Sequence, residues 1–355
     1  MEGTTASAPE KQVQQCLLAQ TDWREKCGVF GVYAPAYDVA RLCYFGLYAL
    51  QHRGQESAGI AVGQYGKIEH HTGVGLVATV FDEETIERLQ GQAALGHVRY
   101  STTGTTSAAN AQPLIGEHRS GPFAIAHNGN LVNTLHLHQQ LAEEGVEFSS
   151  TTDTEVILHL IEQSTAPTLE LAIAEAMHRM QGAYSLGIMA PDRIIAVRDP
   201  HGVRPLAIGR LNNDGWVISS ETCGLHVIGA KFVQEVEPGQ IITFSKSGMN
   251  AVQVFEPKRK AMCIFEFIYF ARPDSHIYGR NIYATRRRMG NLLAQQAPAD
   301  ADLVIPIPES GVPHAVGYAE VSGIPYGEGL IKNRYIHRTF ITPDQRMRDL
   351  GVHIK

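Results

Sequence analysis

The chain is poor in cysteine, has no long hydrophobic run and carries no dominant charge, and each lack closes off a class of function. Its 355 residues include five cysteines: Cys16, Cys27, Cys43, Cys223 and Cys263. The number is odd, the spacings are wide and no Cys-x-x-Cys occurs. That argues against a disulfide framework and against a locally encoded zinc site. It fits a reducing cytoplasm, and it leaves open a metal or cluster ligand whose partners lie outside this chain. No apolar stretch reaches the roughly 20 residues that cross a bilayer. Residues 1–26 lack the continuous apolar core of a secretory signal. A formal net charge of −6 gives no reason to expect nucleic-acid or membrane binding. Internal repeats and low-complexity tracts are absent.

What is present is a soluble-type composition, 44% hydrophobic and 19% charged, in a chain long enough for two domains. Residues 1–20 read as a weakly ordered leader. Strands are expected at 28–33 and 59–63, with a buried helix over 39–51 carrying Leu42, Phe45, Leu47 and Leu50. A strand pair is expected at 93–98 and 123–126. Thr152 with Glu155 three residues on is a capping-box pattern, and Val156, Ile157, Leu160 and Ile161 then keep helical spacing. A second helix follows Pro167, buries Leu169, Ile173, Met177 and Met180, and is stopped by Gly182. Short strands at 183–189, 194–198, 206–208, 216–219 and 240–244 are separated by turn residues such as those at 213–215. Two packed sheets flanked by helices are the expected outcome.

The character changes near Pro257. A helix is expected over 284–296, with Arg286, Arg287 and Arg288 early and Leu292 and Leu293 facing in. An apolar strand over 302–306 ends in Pro308-Glu309-Ser310-Gly311, and a helix follows through Glu320. Strand, polar loop and helix open a parallel α/β unit, but the chain reads as ending inside that domain.

Cys27 draws attention through its company. A buried cysteine at a strand start is usually a small hydrophobe. Here glycine-rich polar clusters recur downstream: Gln51-His52-Arg53-Gly54-Gln55-Glu56, Gly96-His97-Val98-Arg99-Tyr100-Ser101-Thr102 and Ala126-His127-Asn128-Gly129-Asn130-Leu131. A thiol, guanidinium groups and an Asn-Gly turn are the parts of an amide-hydrolysing site. A thiol is mostly protonated at neutral pH and needs a base. No Cys-His pair is evident, and the α-amine of Cys27 would serve only if the Lys26–Cys27 bond were cut, because a peptide nitrogen has no available lone pair. Asn128-Gly129 reads first as a tight turn and second as an oxyanion cradle. Arg53, Arg99 and Asp153 read singly as surface charges. Together they suit the carboxylate and ammonium of an amino acid. Cys263, in Met262-Cys263-Ile264-Phe265, reads as a core cysteine, and Ser310 is a weak signal at a strand-to-helix loop.

In this order the motifs resemble the glutamine phosphoribosyl pyrophosphate amidotransferase family, from about Glu25 to the end of the chain. The resemblance includes Cys27-Gly28-Val29-Phe30-Gly31, Thr152-Asp153-Thr154-Glu155, Arg198 through Leu206, Ser220-Glu221-Thr222, Phe265 through Ser275 and Ile331-Lys332-Asn333-Arg334-Tyr335. It implies a propeptide over 1–26 and a glutaminase domain over 27–257, an N-terminal-nucleophile hydrolase with an αββα sandwich. Residues 258–355 would be a linker and an incomplete α/β phosphoribosyltransferase-type domain. It further implies Cys27 as nucleophile, Asn128 and Gly129 as oxyanion hole, and Arg99 and Asp153 on glutamine with Arg53 nearby. Cys263 matches a ligand of a four-iron four-sulfur cluster and Ser310 a magnesium-site position. Lys332 and Arg334 match a flap over phosphoribosyl pyrophosphate. The family product would be 5-phosphoribosylamine, in the first step of purine synthesis, made by a homo-oligomer when full length. The family's ribose-binding loop and remaining cluster cysteines are not found before Lys355.

Overall fold

The computed structural model describes residues 27–100, 108–212, 215–256 and 258–333. The expected leader 1–26, the turn at 213–214, the boundary residue Pro257, and Arg334 with the rest of the basic tail lie outside the described residues. Contacts divide the chain into two compact units. The first runs through Ser220 and resumes over Gly224–Met262; the second joins Glu221–Cys223 to the chain from Cys263 onward.

Thirteen strands among the described residues build the first unit. They are β1 Gly28–Tyr33, β2 Ser57–Gln64, β3 Lys67–Val74, β4 Ala93–Arg99, β5 Leu114–His118, β6 Gly121–Leu131 and β7 Gly182–Ala190, then β8 Arg193–Arg198, β9 Ala207–Arg210, β10 Trp216–Ser219, β11 Lys231–Glu235, β12 Gln240–Ser245 and β13 Gly248–Gln253. One sheet has the order β11-β9-β10-β1-β4-β2-β3 and the other β13-β12-β8-β7-β6-β5. Helix α1 (Val39–Ala49) covers the first sheet. Helices α2 (Thr134–Glu143), α3 (Asp153–Glu162) and α4 (Leu169–Arg179) cover the second through Leu137, Ile157, Ile161, Ile173 and Met177. Between the sheets pack Val29, Leu95, Ala124, Ala126, Ile194, Ile218 and Phe244. The four layers are the expected αββα sandwich.

Several expectations change. The strands at 93–98 and 123–126 do not pair: β4 lies between β1 and β2, and β6 between β5 and β7. Alternation marks a strand but not its partner. Phe45 is 44% exposed, because α1 turns Cys43, Gly46, Leu47 and Leu50 inward instead. Gly46 lies there because any Cβ would overlap the Phe30 ring. Thr152 does cap α3, accepting from the Glu155 N–H. The return half of the box goes elsewhere: Glu155 accepts from the Ser149 and Ser150 N–H groups, each at 2.7 Å. Helix α4 ends at Arg179, and Gly182, at φ +128°, opens β7. Strands β3, β11 and β13 escaped prediction because their side chains are largely exposed and carry no apolar alternation. The Arg198–Leu206 motif is a brace. Arg198 donates to the carbonyls of Arg204, Val236 and Gly202, and buried Asp199 accepts from the His201 and Val203 N–H groups.

In the second unit, helices α5 (Ile282–Gln296) and α6 (Val312–Ser322) pack closely. Gly290 and Gly317 permit it, since a Cβ on either would run into backbone of the facing helix. Leu292 and Leu293 are exposed, the reverse of the expectation, and Arg286 is buried. Arg286 is drawn in by carbonyls: Nε donates to Phe267 O at 2.6 Å and Nη2 to Ala271 O at 2.9 Å. Glu221 is the other strut, accepting from Arg272 N at 2.8 Å and Ser275 Oγ at 2.7 Å. The strand expected over 302–306 reduces to a single parallel bridge, Val304 to Tyr326. Among the described residues no helix is long and apolar enough to cross a membrane.

Candidate active site

The site follows from strand alternation. A Cβ on Gly96 would meet Cys43 Sγ and Leu47 of α1, so Gly96 and Val98 face that helix. Leu95, His97 and Arg99 therefore face the space between the sheets. In register, Gly28 lies opposite Val98 and Ser57 opposite Arg99. Continuing β1 by one residue places Cys27 beside Arg99, so Cys27, Arg99 and Ser57 form one row across three strands. On the other sheet Ala124 and Ala126 belong to the inter-sheet core, and Asn128 shares their face. His127 and Gly129 share the opposite face with Phe123, Ile125 and Leu131, toward the helices. One bond crosses between the sheets here: His97 Nε2–H donates to the His127 carbonyl at 3.0 Å.

Each predicted residue can now be located. Cys27 is 2% exposed, and its carbonyl accepts from Arg53 Nε at 3.0 Å. Arg53 is fully buried and pins the Cys27 main chain. Arg99 Nη1 pairs with Glu56 Oε1 at 2.7 Å, both side chains nearly buried, and the Glu56 N–H donates to Arg99 O at 3.1 Å. Asn128 is fully buried, yet neither its Oδ1 nor its Nδ2 has a hydrogen-bond partner among the described residues. Leaving a buried polar group unpaired costs about 1–3 kcal/mol, which makes this amide the unusual polar group of the inner face. Ser57 Oγ, in the row of Cys27, is buried and unpaired in the same sense. Gly129 has no room for a side chain: a Cβ would overlap the Ala183 carbonyl oxygen and lie 2.7 Å from His127 Nε2. Asp153 stands behind β6, its Oδ1 3.2 Å from His127 Nδ1 and its Oδ2 accepting from Leu131 N at 3.0 Å.

Electrostatics sets His97 aside as a base, and orientation sets His127 aside. Burial, joined by the charges of Arg99 and His127, pushes His97 down to about 3 against its backbone bond. It stays neutral across physiological pH and is far too weak to take a thiol proton. His127 is turned to the helix side, against Asp153. Burial alone would raise the Asp153 carboxyl, but the His127 charge and its hydrogen bonds hold it below the ordinary value.

In the second unit Cys263 is half-buried while its neighbours Met262, Ile264 and Phe265 are exposed, so it is not a core cysteine. Ser310 is half-buried at the start of α6 and its carbonyl faces His314 Nδ1. Lys332 Nζ lies 3.4 Å from Glu309 Oε2. Among the described residues no group of three or more His, Cys, Asp or Glu side chains could hold a metal ion.

Known proteins share this chain's sequence and fold. A glutamine amidotransferase domain model matches residues 97–226. The amidophosphoribosyltransferase of Synechococcus elongatus is 51% identical over 336 residues, covering 93% of this chain and 68% of that protein. The chain belongs to the amidophosphoribosyltransferase family. The enzyme of that name from Mycobacterium tuberculosis is 48% identical over 339 residues, 94% of this chain and 64% of that protein. A solved B. subtilis glutamine phosphoribosylpyrophosphate amidotransferase, complexed with ADP and GMP, superposes with a TM-score of 0.83 at 43% identity, covering 92% of this chain and 70% of that one. Family membership accounts for the enzyme class and for the sandwich. Glu56, Ser57, His97 and His127 were assigned no role from sequence. Three of them stand inside the quoted glycine-rich clusters and Ser57 immediately follows one, but spacing alone does not say which side of a strand faces the gap.

Proposed function

We propose that this member of the family releases ammonia from glutamine at Cys27 and delivers it to phosphoribosyl pyrophosphate, giving 5-phosphoribosylamine for purine synthesis. The carrying observation is the buried Asn128 amide, without a partner among the described residues, facing the same inter-sheet gap as the Cys27–Arg99 row. Arg99, held flat by Glu56, grips the glutamine α-carboxylate with its remaining N–H groups. Asp153, kept charged but standing behind β6, is assigned to the ammonium on its motif alone.

Cleavage before Cys27 frees an amine whose ordinary pKa of about 7.7–8.0 suits neutral operation. His97 is too weak a base to replace it, and the His127 ring faces Asp153 on the helix side. The amine takes the thiol proton, and the sulfur bonds to the side-chain carbonyl carbon of glutamine while the C=O pair moves onto oxygen. The Asn128 amide N–H and the Gly129 N–H receive that oxyanion. Collapse expels ammonia, which takes its third proton from the Cys27 ammonium, and leaves a γ-glutamyl thioester. Water then adds, the C–S bond breaks, and glutamate leaves with the thiol restored. In the acceptor step ammonia attacks the ribose C1 and displaces pyrophosphate. Ser310, Lys332 and Arg334 are assigned to that step on their motifs alone, and no step is routed through magnesium or a cluster.

The test uses the purified chain, its N-terminus read by mass spectrometry, with glutamate and ammonia measured from glutamine. A mature start at Cys27 and loss of activity in Cys27→Ala are expected. Undiminished activity in Cys27→Ala sinks the assignment.

A further inference from the structure

Four observations meet at His97. It is completely buried on the inner face of β4, two residues before Arg99 and so one row deeper than the Cys27–Arg99–Ser57 row. Its Nε2–H makes the 3.0 Å bond to the His127 carbonyl across the gap between the sheets. That carbonyl belongs to the peptide whose nitrogen is Asn128, the proposed oxyanion donor. Its other nitrogen, Nδ1, is buried and has no hydrogen-bond partner among the described residues, so among them Nε2 is the ring's one hydrogen-bonded anchor.

The rest of β6 is fixed from the far side. The His127 N–H donates to Gln112 Oε1 at 2.8 Å, Gln112 Nε2 donates to Thr154 Oγ1 at 2.8 Å, and the His127 ring is held by Asp153. Those bonds tie Asn128's strand to the helix layer. The Gln112 carbonyl also abuts Gly59 of β2, opposite His97, where an added Cβ would come within 2.2 Å of its oxygen, so that contact limits how near the sheets come without aiming the Asn128 peptide. The core between the sheets is apolar, and apolar packing is non-directional. A hydrogen bond weakens steeply with length and angle, so it can define a separation that packing leaves soft.

We propose that His97 is a positioning residue whose cross-sheet hydrogen bond to the His127 carbonyl sets the distance of the Asn128–Gly129 oxyanion cradle from Cys27. This rests on the Cys27 reading above. The ring acts as a neutral donor, which suits it: a protonated imidazole beside Arg99 would add a second buried cation next to a site meant for a carboxylate. A cradle acts on charge that develops only in the transition state, so its misplacement should change turnover and leave glutamine binding to Arg99 nearly intact.

The experiment compares His97→Leu and His97→Met, which fill the space without a donor, with His97→Gln, whose amide N–H stands where Nε2–H was. Glutaminase kinetics are measured on each full chain, with thermal melting as a check on folding. A cradle donor is worth on the order of 10²–10³ in kcat, so the Leu and Met variants should lose at least about tenfold in kcat. Their KM for glutamine should stay within about twofold, and the Gln variant should recover most of the loss. Glutamate γ-semialdehyde gives a readout apart from turnover. The Cys27 sulfur adds to its aldehyde carbon and the C=O pair becomes an oxyanion in the cradle, so its inhibition constant should rise with the fall in kcat.

Folded Leu and Met variants with kcat within twofold of the parent overturn the proposal. So does a rise in KM matching the loss in kcat/KM, or a semialdehyde constant that does not move. Cys27→Ala run alongside keeps the two ideas apart. Activity surviving that change defeats the nucleophile reading, whereas Cys27-dependent activity indifferent to His97 defeats the positioning role alone.

Discussion

Replacing Gly129 with alanine puts the cradle and the sandwich under one load. The new Cβ would overlap the Ala183 carbonyl oxygen, and lie 2.8 Å from its carbon and 2.7 Å from His127 Nε2. Carbon atoms in contact prefer about 3.5–4.0 Å, so β6 and β7 must part by roughly 0.7 Å or more. The obstacle is backbone in the middle of a six-stranded sheet, and no rotamer change relieves it. Overpacking of this kind costs about 1–3 kcal/mol, and a backbone obstacle argues for the upper half. For a unit of this size each kcal/mol lowers the melting temperature by about 2–4 °C. Two to three kcal/mol thus corresponds to a drop of about 4–12 °C for the first unit. The same displacement moves the Gly129 N–H, and a misplacement near 1 Å costs on the order of 10² in rate, so kcat should fall at least about tenfold. Gly121→Ala is the control. It lies on the same strand with φ at +121° and nothing within 4 Å of the added carbon, so it should destabilise through its backbone yet keep its kcat. Melting curves and glutaminase assays on both variants decide the matter. A Gly129→Ala protein that melts and turns over like the parent would refute the close-approach argument.

Arg99→Lys keeps the charge but loses the planar fork; KM for glutamine should rise at least about tenfold with a smaller change in kcat, and an unchanged KM would remove Arg99 from the carboxylate. Arg286→Met strands the Phe267 and Ala271 carbonyls. At about 1–3 kcal/mol for each buried group left unpaired, denaturant unfolding of the second unit should show a loss of roughly 2–6 kcal/mol. The pH dependence has a definite sign at His159. Burial alone would lower it, but contacts with Glu155 at 3.8 Å and Glu162 at 2.8 Å lift it to about 9. Its folded value exceeds the unfolded 6.5, so its contribution is complete below pH 6.5 and is lost as pH rises toward 9. Melting temperatures of His159→Gln should decline less over that window than those of the parent, and parallel curves would contradict the assignment.

The amino-acid sequence determined the parts. Period-two alternation set most of the strands of the sandwich, the spacing of Leu and Ile set α3 and α4, and the glycine-rich clusters marked Cys27, Arg99, Asn128 and Gly129 as chemically unusual company. Sequence fell short where a residue's neighbours come from far along the chain. It joined the strands at 93–98 and 123–126, which tertiary packing assigns to opposite sheets. It buried Phe45 and Leu293, because apolar residues recur on more than one helix face and the inward face is chosen by what lies opposite. It did not mark Arg286 as buried, since the carbonyls that draw it in belong to the turn at 266–271. It gave Glu221 no place apart from Ser220, although the two fall in different compact units with no change in composition between them. A strand pattern says which residues share a face. Which faces meet is decided by long-range pairing, and that pairing is what aligns a thiol, a guanidinium and an unpaired amide at one end of two sheets.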